Sequence, residues 1–224
     1  MSEYYRIKVA GLERDLPICP INEHLDIAGF VIFGDCELTV ACARELIKKL
    51  PEHDYLITAE AKGIPLVYEM ARQLGEKKHF IARKKSKLYM KDPISVQVKS
   101  ITTANLQTLY LDSVDAKLMK GKRIVIVDDV ISTGESLSAI ETLVAKAGGN
   151  VVAKAAILAE GEAADRDDII YLEKLPLFEH CFNTVLRSDV STSEFFYGHP
   201  LCSESDLTAT EPPSWRRFAL LLGR

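Results

Sequence analysis

The stretch of residues 124–136, IVIVDDVISTGES, limits what this chain can fold into more than any other. With Arg123 it opens on an unbroken run, RIVIV, of the kind found in strands buried on both faces of a helix-covered parallel sheet. Two adjacent carboxylates, Asp128 and Asp129, stand where that strand is expected to end. A turn carrying Ser132, Thr133, Gly134 and Ser136 follows. It leads into a helix over 136–147, stopped by Gly148 and Gly149.

Strand-like and helix-like segments alternate from about residue 30 to 172. Leu38, Cys42, Leu46 and Leu50 recur four apart and mark one face of a helix over 37–50. Residues 54–59, DYLITA, form a short buried strand. Pro65 suits the first turn of a helix that runs to Gly75. Residues 79–83, 107–112, 151–159 and 169–172 are further strands, and the polar stretch 84–106 has no clean period. This alternation predicts an α/β fold: a mostly parallel central sheet flanked by helices, with ligands beyond the C-terminal ends of its strands. With 224 residues, 47% of them hydrophobic and 27% charged, the chain can build such a core, and bulk disorder is excluded.

The net charge of −4 offers no basic field for nucleic acid. No apolar run approaches the ~20 residues that span a bilayer, and the charged N-terminus lacks the apolar core of a secretory signal. Five cysteines with no CxxC pair read as reduced thiols, and His24, His53 and His79 have no triad or metal spacing. The expectation is a cytoplasmic protein with neither a membrane nor a nucleic-acid partner.

The turn after the acids has a specific chemistry. A Gly-containing turn at a helix N-terminus presents free N–H groups and the positive end of the helix dipole, and hydroxyls add donors: a phosphate site. Vicinal carboxylates suit a vicinal diol, each hydroxyl donating to one oxygen. Phosphate and diol within one turn point to ribose 5-phosphate. The sequence has no Walker loop and no GxGxxG fingerprint.

Residues 124–136 resemble the phosphoribosyl-pyrophosphate (PRPP) motif of type I phosphoribosyltransferases. The resemblance covers about residues 5–178. It implies that family's fold over 1–178, with a small N-terminal hood over about 1–35 and a mobile flap over about 84–106. Residues 179–224, lysine-free from 180, would be an extension of unknown role. It implies that Asp128 and Asp129 orient the ribose and favour its developing positive charge, and that Ser132, Thr133, Gly134, Glu135 and Ser136 take the 5-phosphate. AEAKG at 59–63 is similar to the family's pyrophosphate loop, with Lys62 in the place of an arginine and Ala61 beside it. RKKSK at 83–87 is similar to its Arg-Lys-x-x-Lys segment, which matches Arg83, Lys84 and Lys87; Lys85 reads as a solvated lysine. The resemblance also implies Mg²⁺, held mainly by PRPP and water with no direct protein ligand, and a homodimer.

The identity of the base rests on a few positions. The flap spacing Val98-x-Ser100-x-Thr102 more resembles xanthine phosphoribosyltransferases and purine-operon repressors. Adenine enzymes carry a glutamate in the flap, where this chain has Ile101, Thr102 and Thr103. Residues 21–26 can be laid over a xanthine-enzyme hood pattern, which makes Asn22 a candidate base contact; a turn-forming Asn after Pro20 is the equal alternative. Arg14-Asp15 resembles the adenine family's hood more weakly. Xanthine enzymes have Glu-Lys where this chain has Glu160-Gly161. An acid without a cation suits an exocyclic amine, which tilts the reading to adenine. Hypoxanthine–guanine enzymes place an extra Asp where Ile131 or Ser132 stands, so that class fits less well. The expected reaction is therefore transfer of 5-phosphoribosyl from PRPP to adenine, giving AMP and pyrophosphate. The alternatives are a xanthine phosphoribosyltransferase and a PRPP-sensing purine regulator without catalysis, whose added DNA-binding domain finds no room before the hood.

Overall fold

The computed structural model describes residues 3–99 and 106–179. Ser100, Ile101, Thr102 and Thr103 of the expected flap, and residues 180–224 of the expected extension, lie outside the described residues.

The chain opens with three antiparallel strands, β1 (Tyr4–Val9), β2 (Leu12–Asn22) and β3 (Leu25–Ala28). Their inward residues Ile7, Val9, Leu16 and Ala28 join Phe30 and Ile32 in a core shared with the helices that follow. Helix α1 (Cys36–Ile47) starts where Asp35 accepts a hydrogen bond from the Leu38 N–H at 3.0 Å, satisfying one of the open donors of its first turn. Leu38, Cys42 and Leu46 are buried as their spacing predicts, whereas Leu50 lies past the helix end and before Pro51.

Next come β4 (Tyr55–Ala59), α2 (Ile64–Leu74), β5 (Phe80–Ala82), β6 (Ile94–Lys99), β7 (Leu106–Leu111) and α3 (Ser113–Met119). Pro65 sits in the first turn of α2, and Gly75 ends it at φ +71°, a left-handed conformation that glycine adopts without cost from a Cβ. The seven residues of α3 are too few to show a period in the sequence; Asp112, expected as a strand end, caps it through the Val114 N–H. After α3 come β8 (Arg123–Ile131), α4 (Glu135–Lys146), β9 (Asn150–Glu160), β10 (Ile170–Leu175) and β11 (Leu177–Glu179).

The central sheet has the order β10-β9-β8-β4-β5, and every neighbouring pair is parallel. Successive side chains of a strand face opposite sides. Val125 and Val127 meet α1, α2 and the hood, while Ile124 and Ile126 meet α3 and α4. This is the expected α/β architecture, with two differences. The segment expected over 107–112 does not join this sheet: β7 pairs antiparallel with β6 in a two-stranded ribbon, tied to the sheet edge by the Arg83–Tyr110 bridge. The hood is not wholly N-terminal either. Its order is β1-β2-β3-β11, so its fourth strand comes from residues 177–179, and Phe178 sets its ring edge-on to Tyr5 at 5.6 Å.

Candidate active site

β4 and β8 lie side by side, but the chain leaves them in opposite directions: β5 flanks β4 on one side, and β9 flanks β8 on the other. The turns that follow β4 and β8 therefore diverge, leaving the crevice in which open α/β sheets bind ligands. A cavity of 210 Å³ occupies it, lined by Lys62, Asp128, the turn Ser132–Ser136 and Glu160, among others. Three separate stretches of sequence meet at this point.

The two acids do not share one environment. β8 was expected to end before Asp128, but it continues to Ile131, because Val130 and Ile131 resume its apolar pattern and pair with Leu158 and Ala159 of the long β9. Inside a strand, adjacent side chains diverge. Asp128 lines the cavity, largely buried, and its Oδ1 accepts a hydrogen bond from the Asp129 N–H at 2.9 Å. Asp129 is only 2% exposed. Its Oδ2 lies 3.0 Å from Lys62 Nζ as an ion pair, with no hydrogen bond to it among the described residues. Burial first, and then the charge of Asp129, push the Asp128 carboxyl up to about 7; Lys62 pulls it the other way.

The turn after β8 is a glycine turn at a helix N-terminus. Gly134 stands at φ +79° immediately before α4, whose first N–H groups open toward the cavity wall. Ser132 Oγ accepts from the Thr133 N–H at 2.6 Å and also hydrogen-bonds Glu160. Glu160, the last residue of β9, has its carboxyl pushed up by burial and held back by Lys62.

The turn after β4 is drawn against both acids and cations. Its Glu60–Ala61 peptide is cis. A Cβ on Gly63 would collide with Thr58 Oγ1 and reach within 3.3 Å of Asp128 Oδ1, so only glycine lets the start of α2 pass this close. Glu60 Oε2 accepts from the Lys84 N–H at 3.0 Å and lies 3.3 Å from Arg83 Nε, a buried atom. Glu60 thus joins the 60–63 turn to the basic segment. The resemblance assigned no role to it.

The remaining expected residues are less gathered. Ala61, Arg83, Lys84 and Lys87 do not line the cavity, and Lys84 is exposed. Asn22 is exposed and its Oδ1 accepts from the His24 N–H at 2.8 Å, a turn role. Arg14 holds Asp35 (2.6 Å) and Glu37 (2.8 Å), and Asp15 holds Arg6 (2.7 Å), so both serve the hood's attachment and rim. One residue near the turn carries no local sequence signal: Arg166, whose Nη1 stands against Gly134. Among the described residues no three His, Cys, Asp or Glu side chains gather as a metal site, and no helix is long and apolar enough to cross a membrane.

Residues 35–179 match the family model of the phosphoribosyl transferase domain. A hypoxanthine/guanine phosphoribosyltransferase of Methanotorris igneus is 31% identical over 160 residues, covering 67% of this chain and 83% of that protein. A protein of the same name from Methanocaldococcus sp. is 31% identical over 67% of this chain and 78% of its own length. Among solved structures, an adenine phosphoribosyltransferase from Thermoanaerobacter pseudethanolicus matches with a TM-score of 0.55 at 24% identity, covering 77% of this chain and 95% of that one. One from Leishmania tarentolae matches at 0.54 and 20%, covering 77% and 83%. At these identities the structures show a shared fold. The family match spans both turns, both acids and the sheet that sets them together, and the chain belongs to the type I phosphoribosyltransferases, enzymes of the glycosyltransferase kind.

Proposed function

We propose that this protein transfers the 5-phosphoribosyl group of PRPP to N9 of adenine, releasing pyrophosphate. The observation that carries the reading is the cavity itself: Asp128, the Ser132–Ser136 turn and Lys62 line one space. That arrangement suits a ribose diol with a phosphate on one side and pyrophosphate on the other. The turn takes the 5-phosphate on N–H groups and hydroxyls, and Lys62, Arg83, Lys84 and Lys87, with the turn at Ala61, favour the departing pyrophosphate. The bond from C1′ to the pyrophosphate oxygen breaks, its electron pair leaving with pyrophosphate, and the C1′–N9 bond forms as N9 gives up its proton. Asp128, which lines the cavity, favours the positive charge that develops on the ribose, and Asp129, buried behind it, acts by holding Lys62, so the protein's part is chiefly positioning and electrostatics.

The residues present fit a substrate-held Mg²⁺, because carboxylate oxygens are the hard donors this ion accepts, directly or through water. Brought in with PRPP, the ion would be held on the protein's side by Asp128 at the cavity wall, through water, and would neutralise the leaving group's charge.

Glu160 supports adenine, since a carboxylate facing the cavity can accept from an exocyclic amine. A second reading, a 6-oxopurine substrate, is favoured by the names of the relatives at 31% identity. A panel of adenine, hypoxanthine, guanine and xanthine with PRPP and Mg²⁺, followed by pyrophosphate release, tests both. Turnover greatest with adenine is expected; turnover with hypoxanthine or guanine alone overturns the adenine assignment, and none with any base overturns catalysis. The exposed apolar side chains Val31, Phe33, Leu88 and Tyr89 support a homodimer, which sedimentation would test, and the reduced-thiol composition supports the cytoplasm.

A further inference from the structure

A cation from another element reaches the phosphate turn. Arg166 follows the 3-10 turn Gly161–Asp165, in the connection from β9 to β10. Its Nε and Nη2 donate to the two carboxylate oxygens of Asp168 at 2.8 and 2.7 Å. Asp168 is held in turn by Lys154 Nζ at 2.8 Å, and Lys154 also pairs with Glu141 of α4 at 2.6 Å. The guanidinium is thus braced against the helix whose N-terminus forms the turn. Two of its nitrogens are committed to Asp168, and the third, Nη1, is aimed at Gly134. A Cβ built on Gly134 would stand 2.8 Å from Nη1, so the glycine leaves the space the guanidinium fills.

The charge around the cavity gives this contact a use. Its lining residues include three carboxylates, Asp128, Glu135 and Glu160, against one cation, Lys62, which is already paired with Asp129. A helix N-terminus offers only about half a positive charge. A phosphate dianion on this turn would gain from a full cation beyond the lining, and Arg166, with Nη1 against Gly134, brings one.

We propose that Arg166 is a phosphate-binding residue: Nη1 meets the 5-phosphate on the Ser132–Ser136 turn, while Asp168 and Lys154 hold the guanidinium in that direction. This rests on the PRPP reading above. The alternative is that Arg166 only knits the 161–169 connection to α4, and the two differ in which half of PRPP they affect.

The test uses the full chain and titrates ribose 5-phosphate and pyrophosphate separately by calorimetry. Arg166→Gln should weaken ribose 5-phosphate about tenfold or more, the value of one charge-assisted hydrogen bond, and leave pyrophosphate within about twofold. KM for PRPP should rise more than kcat falls. Asp168→Asn, which loosens the guanidinium without removing it, should give a smaller loss of the same kind. An unchanged ribose 5-phosphate affinity in Arg166→Gln overturns the proposal, and so does an equal loss of both ligands, the mark of general loosening. Should Arg166→Gln not fold, Arg166→Lys carries the test: it keeps the charge but not the two-pronged hold on Asp168, and should weaken ribose 5-phosphate selectively. A wild-type protein that binds neither ribose 5-phosphate nor PRPP would defeat the functional reading itself, and this inference with it.

Discussion

Lys62 Nζ stands 3.0 Å from Asp129 Oδ2, joining the turn after β4 to the end of β8 across the break in the sheet's winding. The pair is lopsided. Asp129 is 2% exposed and the Lys62 side chain 43%, so the carboxylate has lost its water and the ammonium has not. Without Lys62 the carboxylate would be left buried and uncompensated.

Lys62→Ala should therefore lower stability by about 1–3 kcal/mol, at the lower end because the ammonium is half in water. Adding Asp129→Asn should recover most of that loss, since no charge is then left inside, while KM for PRPP stays raised. Urea unfolding of the wild type, both single variants and the double variant measures the coupling. Strictly additive losses would mean that the two side chains do not depend on each other.

Asp128 should make stability fall as pH rises. Its carboxyl is raised from an ordinary 3.8 to about 7, so the folded state binds the proton more tightly than the unfolded chain does. Stability from this group is complete below the ordinary value and is lost as pH climbs through the folded one. Asp128→Asn should raise the thermal midpoint by a few degrees at pH 8 and by much less at pH 5, where the native carboxyl is already neutral. The same gain at both pH values would contradict the assignment.

Gly63→Ala should damage the site through shape alone. The added methyl meets Thr58 Oγ1 and crowds Asp128 Oδ1, and Thr58 is fully buried and unable to retreat. Overpacking of this kind costs about 1–3 kcal/mol. Turnover should fall as the 60–63 turn shifts, whereas Gly75→Ala, with no atom within 4 Å of its Cβ, should cost stability from its positive φ and leave turnover unchanged. Melting curves and initial rates of the two variants separate the effects.

Glu60→Ala should raise KM for PRPP by about tenfold, because the basic segment loses the acceptor that holds the Lys84 N–H and the carboxylate beside Arg83. Glu60→Gln keeps an acceptor for Lys84 and should lie between this variant and the wild type. If Glu60→Ala and wild type had the same KM, the link between the two segments would have no role in binding.

Much of the fold was legible because its periods are strong. The apolar run at 123–127, the four-residue spacing of Leu38, Cys42 and Leu46, and the Pro65 to Gly75 frame each report burial or backbone geometry within a few residues. Helix α3 was missed because seven residues hold too little pattern. The continuation of β8 through Asp128 and Asp129 was missed because acids usually end a strand, and here β9 runs long enough to keep pairing. The partner of β7 was missed because a ribbon strand and a sheet strand have the same composition. The glycine turn at 132–136, set before a helix, was readable from its residues alone. The roles of Glu60 and Arg166 were not, since each depends on a partner far along the chain, at Lys84 for one and at Gly134 for the other.

The order of residues alone settles the α/β class and places acids, hydroxyls and glycine on one turn, because helix and strand periods and turn chemistry are local. Folding decides what those groups face. Strand alternation turns Asp128 to the cavity and Asp129 inward to Lys62, the reversal of winding between β4 and β8 opens the crevice, and the connection after β9 carries Arg166 to Gly134. Each of these is a meeting between segments distant in sequence, set by sheet order and packing, and no local pattern encodes it.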